Sequence, residues 1–400
     1  MRWPSAIQAF RKWHHRLPVF LAFMFFFMAE TPISLSARMY FDQSGIVWLW
    51  GAYLTGESIS LIIGPIVVPF LVLYFGPIVP AIFACVVLIG VFAFSFLAPW
   101  ALIPALFIFP WSVRVFNNCL TPMLSRETPV GERDMAFAIR DAFLYGGMTV
   151  GLLAASMISG GGNWMGWITA LATFALAGAS AALWNHNGDT HQMVPRPKSN
   201  KLFTSALFMW HLPAGARATL VWFILVNAAM VWNKVCFSFL PISFIREGVD
   251  QSAVLLYYGL SSLALPALGI LAARVSAAGY RKKIYIFDIL FDMVPLAMTW
   301  AIHNEVMIIL IILFITLKDF VKPVSLAYFF ICFSDDHANE VWAANTFFSS
   351  LLSVCFPIVA TTLFIINSNY LFLSALVFTA VAGSIVILRL PSVPKVGSAH

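Results

Sequence analysis

The stretch I311-ILFITLKDFVKPVSLAYFFIC-F333 reads as a helix built for lipid, yet it carries Lys318, Asp319 and Lys322 near its middle. Around it the chain is uniformly apolar: hydrophobic residues make up 61% of the 400, charged residues 10%, and mean hydropathy is +0.89. Those values lie outside the range of soluble domains and describe an integral membrane protein. A bilayer-crossing helix needs about 20 mostly apolar residues. Twelve such spans are predicted, at 17–37, 46–68, 77–98, 100–122, 136–159, 164–184, 218–243, 252–273, 284–302, 306–331, 341–366 and 370–389. The first 16 residues are basic and aromatic and the apolar run after them is long enough to span, so the first span reads as a retained anchor.

Short cytoplasmic loops concentrate Lys and Arg. With the N-terminus inside, the cytoplasmic segments collect residues such as Arg11, Lys12, Arg16, Arg196, Lys198, Lys201, Arg281, Lys282 and Lys283, while the outer loops keep Arg38 and Arg246. Both termini are then cytoplasmic. The net charge of +6 is a topology signal that requires no nucleic-acid partner. Cys85, Cys119, Cys236, Cys332 and Cys355 all lie in apolar spans without ligand-like spacing and read as packing residues, so no metal is expected.

The spans divide evenly around the polar stretch NHNGDTHQMVPRPKSNK, residues 185–201. The expected organisation is a six-helix half at 1–184, a central cytoplasmic loop at 185–217 and a second six-helix half at 218–400. Glycine-led segments follow the second span (GPIVVPFLVLYFGP, 64–77) and the eighth (GILAARVSAAGYRKK, 269–283). This all-α layout of twelve helices in two halves resembles the major facilitator superfamily, whose halves rock around a central site. In the second segment Gly269, Arg274, Gly279, Arg281, Lys282 and Lys283 fit the superfamily's loop motif in type, and Ala273 replaces its acid. In the first segment Val68 and Pro69 replace the charged pair. The fifth span, within RDMAFAIRDAFLYGGMTVGLLAAS (133–156), carries Gly147 and Gly151 at a spacing that lets two helix backbones approach closely. A Gly-rich fifth helix is typical of exporters in this superfamily, although Leu152 stands where their motif has proline.

TPMLSRETPVGERDM (121–135), DDHANEVWAANTFFSSLLSV (335–354) and the stretch 238–275 are similar to the branch holding the enterobactin exporter and macrolide efflux pumps. That resemblance implies an exporter in a bacterial inner membrane, coupled to protons by antiport and serving iron acquisition. Its cargo would be an anionic siderophore, a citrate–hydroxamate such as aerobactin. A multidrug or macrolide pump and an importer of an anionic metabolite are the alternatives.

A charge at the centre of a membrane helix costs roughly 2.5–3.5 kcal/mol on the insertion scale. Those inside the predicted spans must face a cavity or one another: Glu30, Glu57, Arg114, Arg140, Asp141, Lys234, Asp288, Asp292, Lys318, Asp319 and Lys322. Lys318 and Lys322 are four apart and share a helix face, with Asp319 turned about 100° away. Two ammonium groups on one face call for an anion, either Asp288 or Asp292 or a group of the substrate. Alternatively they snorkel toward the cytoplasmic surface. Lys234 is flanked by Asn227 and Asn233, and Arg114 by Asn117 and Asn118. Arg114, Lys234, Lys318 and Lys322 with the amides of Asn117 and Asn233 would suit a polyanionic, hydroxyl-rich ligand, while Arg114 could equally pair with an acid of the first two spans.

No GxxxxGK phosphate loop occurs, so an ion gradient is the expected energy source and no cofactor is expected. Desolvation favours a protonated carboxyl and a nearby guanidinium favours the carboxylate, so a carboxyl of alternating exposure can load and release a proton. Glu30 or Glu57 is the expected proton site. Arg140, Asp141, Asp288, Asp292, Asp319 and Arg274 are expected gate or charge-pair residues. The loops HNGDTH (186–191) and SDDHANE (334–340) offer no catalytic arrangement, and the chain reads as a transporter and not an enzyme.

Overall fold

The computed structural model describes residues 14–97, 102–127, 133–159, 163–187, 210, 212–268, 281–301, 304–321, 325, 328–329, 332–333 and 338–391. The structure is helical throughout these residues. The helices are α1 (Leu17–Gln43), α2 (Trp48–Phe75), α3 (Ile78–Leu97), α4 (Leu102–Glu127), α5 (Arg133–Ile158) and α6 (Trp164–Asn187). They continue with α7 (Ala214–Phe237), α8 (Leu240–Arg246), α9 (Gln251–Ser262), α10 (Arg281–Phe291), α11 (Met293–Met298), α12 (Glu305–Lys318), α13 (Ala338–Ser353), α14 (Phe356–Ile366) and α15 (Ser368–Arg389). Every predicted span holds helix, and among the described residues eight helical stretches are long and apolar enough to cross a membrane. The chain is a multi-pass membrane protein.

Four of the predicted spans are each two helices in succession, the one at 252–273 because the helix ending at Ser262 is followed by a turn and resumes at 265–268. The breaks have local causes: Pro241 and Pro357 stand in the first turn of α8 and α14, and Pro295 follows closely on the start of α11. Proline lacks the N–H that would bond back into the preceding turn and is tolerated where a helix begins. A further span changes pitch, because α12 stops at Lys318 and Asp319–Val321 form a 3-10 turn ahead of Pro323 in the sequence. Helix starts carry the expected caps. The side chains of Asp250, Asn304 and Asn367 accept from the backbone N–H two residues on, each contact satisfying a donor that the helix leaves open. Gly45 and Gly76, at φ of 71° and 72°, make the tight turns α1–α2 and α2–α3 in a backbone region that side chains disfavour.

The described residues fall into two compact units, one within Met1–Ile33 and Val68–Pro197, the other within Ser34–Val67 and Lys198–His400. In the first, α3 lies along α4 and α6, and α1 contributes Phe23 and Phe26 around Phe116, the last two stacked at 3.9 Å. In the second, α7 packs on α13 and α15, with Phe223 surrounded by Tyr285, Tyr328, Phe329 and Phe333. Large apolar side chains such as Met157, Phe174 and Leu388 stand exposed, as a lipid-facing surface requires.

Candidate functional site

The charges of the opening stretch find their partner at a helix break. Asp292 sits between α10 and α11 with its side chain 1% exposed, and Lys318, at the end of α12, donates to its Oδ2 at 2.5 Å. Asn233 of α7 donates to the same oxygen at 3.1 Å and to Thr379 Oγ1 of α15 at 2.6 Å. One charge pair and two polar side chains therefore join four elements inside the second unit. Asp292 Oδ1 and Asn233 Oδ1 are buried and have no hydrogen-bond partner among the described residues. Asp288, one turn earlier on α10, accepts from the Ser325 hydroxyl at 2.5 Å. Asp319 caps the end of α12, half-buried.

A second pair lies close by in sequence. Lys234, the residue after Asn233, donates to Glu57 Oε1 of α2 at 2.7 Å, with side-chain exposures of 67% and 22%. From this pair a ladder of polar contacts runs toward the α1–α2 turn. Trp50 Nε1 donates to Ser238 Oγ at 3.2 Å, Arg38 lies over the Trp50 ring at 4.8 Å, Gln43 donates to Gln251 at 3.1 Å, and Arg246 Nη2 meets Asp42 Oδ1 at 2.7 Å. Gly51 lets α2 touch α14 directly: a Cβ there would stand 2.1 Å from Thr361 Oγ1. The ends of α1 and α2 are thereby tied to α7–α9 and α14 within one unit.

In the first unit Arg140 Nη2 meets Asp141 Oδ1 at 2.6 Å, its Nη1 reaches Thr121 of α4 at 3.3 Å, and its guanidinium lies 5.7 Å from the centre of the Phe23 ring of α1. Arg140 thus ties α5 to α4 and α1. Glycines at positions 147 and 151 form the seam with α1: a Cβ would come within 1.9 Å of Met24 O and 2.3 Å of Met28 O. Glu30, next to this seam, accepts from the Thr31 hydroxyl at 2.9 Å. Arg114 is half-buried on α4, and Asn117 donates to Val113 O of its own helix at 3.1 Å. Lys322 and Arg274 lie outside the described residues, as do most of the glycine-led segment 269–283 and of the central stretch 185–217.

Of the predicted charges, the structure brings together Lys318 with Asp292 and Asn233, Lys234 with Glu57, and Arg140 with Asp141. The sequence reading did not single out Thr379, Ser325, Trp50, Ser238, Asp42 or Arg246 for this role. Thr379 and Ser325 are hydroxyls in apolar runs and Arg246 is one of the two cations of the loops predicted to lie outside, so each left a faint signal. An apolar groove of about 420 Å³ between α7 and α15, bordered by Trp222, Val377, Val381 and Arg389, stands apart from these pairs. Its lining suits an acyl chain.

No protein-family model matches the chain, and no curated protein does. Solved structures do share its fold. It is similar to a POT family transporter, PepTSo, with a TM-score of 0.66 at 12% identity, covering 97% of each chain. An autoinhibited POT family peptide transporter gives 0.62 at 12%, covering 92% of this chain and 95% of that one. A structure described for substrate recognition in proton dependent oligopeptide transporters gives 0.63 at 14%, covering 94% and 99%. Near-complete coverage at these scores establishes the fold of the major facilitator superfamily.

Proposed function

We propose that this chain is a secondary active transporter that moves an anionic, hydroxyl-rich small molecule across a bacterial inner membrane, outward, with protons as the coupling ion. A citrate–hydroxamate siderophore is the cargo class. The observation that carries the reading is two lysines on transmembrane elements, each paired with a carboxylate: Lys318 with Asp292 and Lys234 with Glu57. Cations inside a membrane protein mark substrate or ion pathways, because lipid exposure would cost several kcal/mol each. A carboxylate that neutralises a lysine at rest is displaced by one carried on a substrate.

The fold is shared with proton-dependent transporters, and the polar ladder from Asp42–Arg246 to Glu57–Lys234 supports an alternating-access cycle. With both termini cytoplasmic, the α1–α2 turn faces the periplasm and the ladder is the closed outer gate. Opening to the periplasm then requires that Glu57–Lys234, Trp50–Ser238 and Asp42–Arg246 all part.

The test is the distribution of siderophore between cells and medium, by mass spectrometry, in an iron-starved producing strain with and without this chain. Accumulation in cells lacking it supports export. Loss of siderophore uptake in those cells supports an importer of the same anion. An unchanged distribution, with production confirmed, removes the siderophore as cargo.

A further inference from the structure

The sequence points to Glu30 or Glu57 as the proton carrier, but Asp292 has the stronger geometric claim. It is a fully buried carboxylate in a transmembrane segment, set at a break between two helices, with one oxygen holding a lysine and the other without a protein partner among the described residues. Interrupted helices that place polar groups at mid-membrane recur where transporters bind ions. Lys318, its partner, also ends a helix at the start of a 3-10 turn.

The surroundings suit two protonation states. Asn233 offers the carboxyl group both a donor and an acceptor, and it already donates to Oδ2 while its own Oδ1 lies buried without a partner among the described residues. As a carboxylate, Asp292 takes Lys318 and the Asn233 Nδ2–H. As a neutral acid, it needs one acceptor for its proton, which the Asn233 carbonyl supplies. The other charged groups on the elements packed around it are Arg281, Lys282 and Lys283 at the start of α10 and Asp288 further along it, Asp319 after α12, and Arg217 and Lys234 on α7. Asp288 accepts from Ser325, and Lys234 is held by Glu57. Glu305 and Arg389 stand at the far ends of α12 and α15.

We infer that Asp292 carries the proton linked to cargo binding and that the linkage is positive: an anion occupies Lys318 when Asp292 is protonated. The inference rests on the anion-transport reading above and adds to it the carrier and the sign of coupling. Drawing the Lys318 ammonium onto a substrate carboxylate leaves Asp292 buried without its cation, and an uncompensated buried charge is strongly unfavourable. A proton taken from water onto Asp292 Oδ1 removes that charge. Anion and proton therefore bind together, by reciprocal linkage, and do not exchange. The bound complex gains one proton and one anion. A trianion accompanied by one proton still crosses with net negative charge, so the membrane potential, negative inside, is the force that drives export, and the proton is carried out with the cargo against its own gradient.

The test uses the purified full-length protein in nanodiscs with citrate as the probe, between pH 7.5 and 8.5, where citrate is almost entirely the trianion. Binding is followed by calorimetry and proton exchange by a pH indicator in weak buffer. The expected result is uptake of about one proton per citrate bound and an affinity that rises with falling pH, by up to about tenfold per unit. D292N should hold citrate with the low-pH affinity at every pH and take up no proton. Proton release on binding, binding with no proton change, or undiminished uptake by D292N would each overturn the inference while the anion reading stands. If neither citrate nor a citrate–hydroxamate binds the wild-type protein, the anion reading falls and the inference falls with it. Should D292N fail to fold, the wild-type proton stoichiometry decides alone.

Discussion

Lys318 and Asp292 come from neighbouring transmembrane segments 26 residues apart and meet at 2.5 Å, with the carboxylate wholly enclosed and the ammonium nearly so. Such a pair gains little over a well-packed apolar substitute, but halving it leaves a naked buried charge. Lys318→Ala should therefore destabilise the protein by about 3–5 kcal/mol. Adding Asp292→Asn to that variant should restore most of the loss, since the orphaned charge is gone. Thermal unfolding in detergent, read by tryptophan fluorescence, separates the two. Equal melting of the single and double variants would show that the pair is not electrostatically coupled.

The seam between α1 and α5 predicts a contrast between adjacent glycines. A Cβ at Gly147 would overlap Met24 O at 1.9 Å, whereas one at Gly146 meets nothing within 4 Å. Gly147→Ala should cost about 1–3 kcal/mol through forced backbone displacement. Gly146→Ala should be neutral or slightly stabilising, because alanine is the better helix former. Chemical denaturation of the two variants side by side gives the comparison.

The contact of α2 with α14 makes a similar forecast with a rescue. Gly51→Ala would set a methyl group 2.1 Å from Thr361 Oγ1. Removing that hydroxyl and its neighbouring methyl with Thr361→Ala should recover part of the loss. Melting of the double variant no higher than that of Gly51→Ala would place the conflict elsewhere.

Asp42–Arg246 is partly exposed, and pairs of this kind contribute roughly 0–1 kcal/mol. Charge reversal at Asp42 should leave the melting temperature nearly unchanged. If the ladder is a gate, the same reversal should make a cysteine introduced near Lys234 react faster with a membrane-impermeant thiol reagent added from the periplasmic side. Reversing Arg246 as well should slow it again.

Span placement was legible because a bilayer imposes its length on the chain: twenty apolar residues without a competing period leave few choices. The need of Lys318 for a carboxylate was legible too, from its depth and from the second lysine four residues on. Which acid answered it was not, because Asp288 and Asp292 are one turn apart and share a helix face. The break after Phe291 decides it, with Asp292 at the junction of α10 and α11 facing Lys318 and Asp288 turned to Ser325. Glu57 and Lys234 are separated by 177 residues, and nothing in either local pattern measures that distance. Gly147 and Gly151 announced a close helix contact, but their spacing named no partner; α1 is the partner because Met24 and Met28 repeat the same four-residue step.

The most direct measurement is efflux of a radiolabelled citrate–hydroxamate siderophore from preloaded proteoliposomes, with a potassium diffusion potential imposed negative inside. Each net negative charge moved outward gains roughly 2.3 kcal/mol per 100 mV. Wild-type protein should release the siderophore faster as the potential grows, and Lys318→Ala, reconstituted in equal amount, should lose most of that rate. Efflux no faster than from protein-free vesicles, or equal in the two proteins, would contradict an anion path built on Lys318.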